Sequence, residues 1–293
     1  VAPSGPQRCT DGLLVGATEL ALQHGAECHI HVLETKTQAV TGPEFYGSTL
    51  VEHLARIGAL SEVTTFAHGI WVTDDDIALM AAAGVSVSHN PLSNMKLGSG
   101  IAPWRAYQDA GVNLGLGTDG LSSSDTPRML EVIKAAGLLH KVSGPDFTEW
   151  PTTHEVLRAG TLGGARSGML HDRVGSLEVG KRADLVIYDL ETLAFTPRNA
   201  LDIQLVYSEN GSSIEAVYVD GQRVVDRGRL TTIDEPALIA ELAARRDELH
   251  AWQDELERAN RAFVPAFDTM HRRAAATPIG LNRWTGDERG WLA

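Results

Sequence analysis

The feature that most limits what this chain can fold into is a rhythm in its first 120 residues. Four times, a stretch with apolar residues at helical spacing gives way to a short apolar run ending in a residue able to bind a metal or move a proton. "GLLVGATELALQHG" stops at a glycine and leads into "AECHIHVLE"; "GSTLVEHLARIG" leads to "EVTTFAHG". "TDDDIALMAAAG", with acids in the first turn after Thr73, leads to "VSVSHN", and "IAPWRAYQDAG" leads to "VNLGLGTDG". A helical period alternating with short strand-like runs predicts βα units, and hence a parallel sheet covered by helices. The four strand ends carry His31 with Glu34, His68, His89 with Asn90, and Asp119.

In parallel α/β barrels the chemistry sits at the C-terminal ends of the strands and in the loops that follow. Imidazole and carboxylate are the natural ligands of Zn²⁺ or Fe²⁺. Glu34, three residues past His31, is placed to carry a proton between water and a leaving group. Taken singly, each residue has a plainer reading. A lone strand histidine is more often a hydrogen-bonded core or surface group, and Asp119 in "GTDG" resembles an ordinary Asp-Gly turn. Four successive strands ending in ligand-type residues make a shared site the better explanation. His24, His53, His140, His154, His171, His250 and His271 fall in helical or loop text and are expected at the surface.

After residue 120 come two more helical stretches, near 126–141 and 152–164, and then the pattern changes. "GSLEVGKRADLVIYDL" and "IEAVYVDGQRVVDRGRL" read as strands joined by glycine and Asp-Gly turns, a small β domain. From Glu235 to about Arg273 the text is helical and highly charged, which predicts a surface helix or helical hairpin. The expected division is 1–165, 166–232 and 233–293. A formal net charge of −13 argues against nucleic acid or anionic membrane as a partner. No apolar run approaches the roughly 20 residues of a membrane span, and no signal peptide is visible. Cys9 and Cys28 make no disulfide framework, so a cytoplasmic setting is expected. A homodimer is the ordinary expectation for a soluble enzyme.

"HIHVLET", "AHGIWV", "VSHNPLSNMKLGSGIAP" and "GLGTDG" resemble, in order, the second half of the amidohydrolase superfamily. The branch is that of cytosine, guanine and S-adenosylhomocysteine-type deaminases and triazine hydrolases. "GSLEVGKRADLVIYDL" followed by "VYVDGQRVV" is similar to that branch's closing β-sandwich. The resemblance implies a metal-dependent (β/α)8 TIM barrel of which about strands 4–8 are present. It implies one divalent metal, zinc before iron, bound by His31 and Asp119, with Glu34 as the proton shuttle. It further implies that His68 polarises the attacking water or contacts substrate, and that Asp119 acts as general base. His89, Asn90, Ser93 and Asn94 fall in the loop that shapes the pocket. Gln7, Trp71, His89 and Asn90 are the expected substrate contacts. The implied reaction is hydrolytic deamination of a small nitrogen heterocycle such as a purine, pyrimidine, pterin or triazine. The rival within the class is displacement of chloride or an alkylamine from a triazine, or hydrolysis of a C–N amide or imine bond.

The family's barrel opens with another His-x-His pair, which raises the question of which strand "HIH" at 29–31 belongs to. From His31 to Asp119 the numbering advances by 88 (119 − 31), and four strands fall in that interval. A complete barrel has eight strands in about 250 residues, so "HIH" reads as strand five. "VAPSGPQRCT" then reads as the tail of strand four and its loop, and the sequence as the C-terminal portion of a longer enzyme. The rival from outside the enzyme class is an inactive half-barrel lacking the first-strand ligands. His29 is expected to pack in the barrel interior. Ser4 stands where S-adenosylhomocysteine-type deaminases carry a substrate-contacting histidine, which weighs against an adenosine-type substrate.

Overall fold

Local stop signals set most of the early elements in this computed structural model, which describes residues 1–286. Helix α1 (Asp11–His24) starts at Thr10, whose hydroxyl accepts from the Leu13 amide, and ends at Gly25 in the left-handed region. It delivers the chain to β1 (Cys28–Val32). Then come α2 (Lys36–Tyr46), α3 (Leu50–Arg56) and β2 (Thr64–His68). Helix α4 (Asp74–Ala83) opens on a capping box between Thr73 and Asp76 and leads to β3 (Ser86–His89). The short helices α5 (Pro91–Lys96) and α6 (Trp104–Asp109) precede β4 (Asn113–Leu116).

The four strands form one parallel sheet in the order β1-β2-β3-β4, with Val32 beside His68 and His89 beside Leu116. Their apolar side chains, among them Ile30, Val32, Phe66, Val87 and Leu114, join Leu14, Leu54, Met80 and Tyr107 in one core. Each such side chain contributes about 1.5–3 kcal/mol when fully removed from water. The free edge of β1 is occupied: the His29 amide donates to Val1 O (2.8 Å) and the His31 amide to Ser4 O (3.3 Å). Residues 1–4 therefore run beside β1.

After β4 follow α7 (Leu121–Ser124), α8 (Met129–Leu139), α9 (Thr153–Arg158) and α10 (Gly164–Ser167). A second, antiparallel sheet holds β5 (Leu185–Tyr188), β6 (Ile214–Val219), β7 (Gln222–Asp226) and β8 (Arg229–Leu230), in that order. The two-turn helix α11 (Leu201–Tyr207) lies between β5 and β6 in the chain.

The C-terminal helices divide into two kinds. Helices α12 (Glu235–Ala244) and α13 (Arg246–Asn260) bury no residue, and Leu249, Trp252 and Leu256 stay 44%, 58% and 41% exposed along α13. Helix α14 (Val264–Ala276) instead packs on α2, where Lys36 Nζ donates to Ala275 O (2.9 Å) and Arg273 pairs with Glu44.

Candidate active site

At or just after the C-terminal ends of three of the parallel strands the backbone leaves its relaxed range. Leu33, His68 and Asp119 all have positive φ (53°, 73° and 61°), a conformation that costs a side-chain-bearing residue about 1–3 kcal/mol. The turns they make bring three groups together. His68 Nε2 lies 3.9 Å from Glu34 Oε2 and 4.0 Å from Asp119 Oδ2. The His31 ring stacks on the His68 ring, centroids 5.6 Å apart. Four residues drawn from β1, β2 and β4 or the turns after them thus converge.

Each member is held by a partner. His31 Nδ1 donates to the Ser4 carbonyl (2.8 Å), which leaves Nε2 with its lone pair. His68 is 1% exposed, and its Nδ1 donates to Asn94 Oδ1 (2.9 Å). The Glu34 amide donates to the Gln38 side chain (2.6 Å), tying the carboxylate's backbone to the first turn of α2. Asp119 accepts from Ser93 Oγ (2.5 Å) and from the Gly120 amide (2.7 Å). Burial pushes the Asp119 carboxyl up, but the Ser93 hydroxyl, the Gly120 amide and the nearby His68 outweigh it and hold the group below the ordinary carboxylate range.

Helix α5 therefore supplies two orienting side chains from adjacent positions, Ser93 toward Asp119 and Asn94 toward His68. A Cβ on Gly117 would come within 2.4 Å of Asn90 Oδ1 and 2.9 Å of Ser88 Oγ, so any other residue there requires those side chains to shift.

The remaining sequence-derived candidates take varied places. Gln7 is exposed on the turn Pro6–Arg8; a Cβ built on Gly5 would meet both its side chain and the His31 carbonyl at 3.1 Å. Asn90 is buried and accepts from Ser88 Oγ (3.3 Å). Trp71 is 1% exposed and donates from Nε1 to Ser99 O (2.7 Å). His89 has no exposed surface; its Nε2 meets His140 Nε2 at 3.1 Å, and both rings pack on Trp104. Burial, with the neighbouring His140 and His68, pushes the His89 imidazole well below its ordinary value, and burial takes His140 down to about 4. Both rings are therefore neutral at pH 7.

Three expectations need correction. His140 and His53 are buried rather than at the surface, because the helices that carry them turn those positions inward. His53 Nε2 meets Asp11 Oδ1 (2.9 Å), and its ring stacks on Tyr46. His29, expected as interior packing, has a 38% exposed side chain paired with Glu27 at 2.9 Å.

His31 and Asp119 have the donor chemistry that a divalent cation takes, and the His31 tautomer is set for it. Among the described residues, however, no group of three or more His, Cys, Asp or Glu side chains is arranged to hold a metal ion. The two donors fit such an ion as part of a larger set.

Comparison with known proteins gives the chain a family. The amidohydrolase family model matches residues 1–224. A 5'-deoxyadenosine deaminase of Methanosarcina mazei is 39% identical over 249 residues, which cover 85% of this chain and 57% of that protein. A 5-methylthioadenosine/S-adenosylhomocysteine deaminase of Caldanaerobacter subterraneus subsp. tengcongensis is 35% identical with the same coverage. Among solved structures, a zinc-bound adenosine deaminase from Xanthomonas campestris superposes with a TM-score of 0.82 at 35% identity, over 85% of this chain and 57% of that one. The zinc complex of atrazine chlorohydrolase from Arthrobacter aurescens TC1 gives 0.79 at 28% identity, over 83% of this chain and 54% of that one. The chain thus spans a little over half the length of the relatives it matches.

Proposed function

Because this chain belongs to the amidohydrolase family, we propose that it forms part of a metal-dependent hydrolase that deaminates a nitrogen heterocycle. The observation that carries the reading is the convergence of Glu34 and Asp119 on His68 Nε2, at 3.9 and 4.0 Å. In this reading β1–β4 are strands five to eight of an eight-stranded barrel, 166–232 is part of a β-sandwich, and 233–293 is a helical extension.

A divalent metal, zinc by preference and Fe²⁺ as the alternative, would rest against His31 and Asp119. It would be completed by ligands that these residues do not themselves bring together, and would lower the pKa of a bound water toward neutrality. The chain's own groups do the rest. Asp119, kept ionised by Ser93 and Gly120, accepts a proton from the attacking water. His68, its Nδ1 committed to Asn94, presents Nε2 to that water. Glu34 gives a proton to the ring nitrogen beside the carbon under attack. Asp119 passes the proton it took from water to the amino group, which leaves as ammonia, and the hydroxyl proton of the tetrahedral centre returns to Glu34 as the carbonyl forms. Gln7, on the open side near His31, is the proposed contact for a polar ring edge.

The relatives' names bring adenosine derivatives to the head of the substrate panel, although Ser4 stands where a histidine would favour them. A second reading, displacement of chloride or an alkylamine from a triazine, is supported by the likeness to atrazine chlorohydrolase. The setting proposed is the cytoplasm; no helix among the described residues is long and apolar enough to cross a membrane.

The test is ammonia release by the protein containing this chain, with Zn²⁺ supplied, across aminated purines, pyrimidines, pterins and triazines. A hit lost in Glu34→Gln with metal content unchanged supports deamination. Chloride or amine release from a triazine, without ammonia from any member of the panel, moves the conclusion to the second reading.

A further inference from the structure

The residues after α14 do not lead away from the molecule. Residues 278–286 run back as a strap across the strand ends and meet the loops after β1, β2 and β3. After β1, Lys36 holds the end of α14 through Ala275 O and lies 5.5 Å from the Trp284 ring centroid. After β2, Arg283 Nη2 donates to Val72 O (2.8 Å), and Trp284 stands edge-on to Trp71, centroids 4.8 Å apart. After β3, Trp284 Nε1 donates to Gly98 O (3.1 Å), and the Ile101 amide donates to Arg283 O (2.8 Å). The loop makes room for this crossing. Gly100 has φ 119°, and a Cβ there would come within 3.0 Å of Arg283 O and 3.1 Å of Ile70 Cγ2.

What the strap grips is the far end of α5. The Ser99 amide closes onto Asn94 O (2.9 Å), and the Ser99 carbonyl takes Trp71 Nε1. Trp284 on Gly98 and Trp71 on Ser99 thus hold neighbouring peptide carbonyls directly after the helix that carries Ser93 and Asn94. Those two side chains fix Asp119 and His68. A six-residue helix has few hydrogen bonds of its own and is marginal without tertiary support.

We propose that Arg283 and Trp284 are positioning residues of the active site, acting through α5 on His68 and Asp119. The strap lies beyond the residues that the family model matches. The part of the test that uses catalysis rests on the hydrolase reading; the part that uses exchange does not.

Hydrogen–deuterium exchange of the whole chain, read by mass spectrometry, compares the parent with Arg283→Ala, Trp284→Ala and Trp284→Phe. Peptides covering 91–101 and 68–73 are expected to exchange about tenfold faster in the two alanine variants. Trp284→Phe, which keeps a ring against Trp71 but loses the bond to Gly98, should fall between. Peptides covering 214–226 of the second sheet should not change. With a substrate in hand, kcat should fall about 10- to 100-fold in Trp284→Ala while KM moves less, with Trp284→Phe recovering much of the loss. Unchanged exchange at 91–101, or acceleration spread equally over both sheets, overturns the proposal. So does faster exchange at 91–101 with kcat intact. If no heterocycle is turned over, the hydrolase reading fails on its own and the exchange result still decides the role of the strap.

Discussion

His68 and Asn94, 26 residues apart in the chain, share a buried hydrogen bond of 2.9 Å from Nδ1 to Oδ1. An amide oxygen can only accept, so the proton stays on Nδ1 and Nε2 is the atom that faces Glu34 and Asp119. Helix α5, which follows β3, thereby sets the tautomer of a residue on β2.

Replacing Asn94 with alanine removes that acceptor and leaves a buried N–H without a partner. The expected result is a stability loss of about 1–3 kcal/mol in urea unfolding and a fall in kcat of about 10- to 100-fold, the usual range for a group that orients a catalytic side chain. An unaltered kcat at full folding would show that His68 needs no orientation.

Ser93→Ala acts on Asp119. In the metal-free chain the folded Asp119 carboxyl lies below its ordinary value, so the stability it adds is present above that value. It is lost as pH falls through the folded one. Without the Ser93 hydroxyl the folded value rises toward the ordinary one. Thermal melts in acid should therefore show a shallower loss attributable to Asp119 in the variant, with lower stability near neutrality. Identical acid limbs in parent and variant would argue against the Ser93 contribution.

The neutral pair His89 and His140 predicts a second pH dependence. Both folded values lie below the unfolded one near 6.5, so their contribution is intact above that pH. It declines as protons bind the unfolded chain between about 6.5 and 4. Substituting His140 with phenylalanine should flatten the melting-temperature profile across that interval. A profile as steep as the parent's would locate the acid sensitivity elsewhere.

Gly117→Ala tests the close passage beneath β4. Its Cβ would overlap Asn90 Oδ1, so that buried side chain must shift, and overpacking of this kind costs about 1–3 kcal/mol. Calorimetry should show a lower melting temperature; a neutral result would mean that the Asn90 side chain simply turns away.

Much of the parallel sheet is readable in the sequence because each of its strands is short, follows a helical stretch that stops at a glycine, and ends in a ligand-type residue or leads to one. Helix α2 is not readable, because Gly42 and Pro43 within it mimic a loop, yet the helix continues through them to Tyr46. The candidate site residues could be found because they stand at strand ends or in the turns that follow. The work of Ser93 and Asn94 could not be assigned, since it depends on where α5 sits in space. Nor could the burial of His140, which depends on the neighbouring strand placing His89 beneath it. The strap is least legible of all: "GLNRW" carries no periodicity, and its meaning comes entirely from the loops it crosses.

The ridge of Leu249, Trp252 and Leu256 on α13 has a thermodynamic consequence. Each large side chain left in water forgoes up to about 1.5–3 kcal/mol that burial would provide. Any surface that covers them binds the folded form and not the unfolded chain, and so shifts unfolding by mass action. Where that surface is a second copy of this chain, the melting temperature rises with protein concentration, and values for variants are comparable only at one shared concentration.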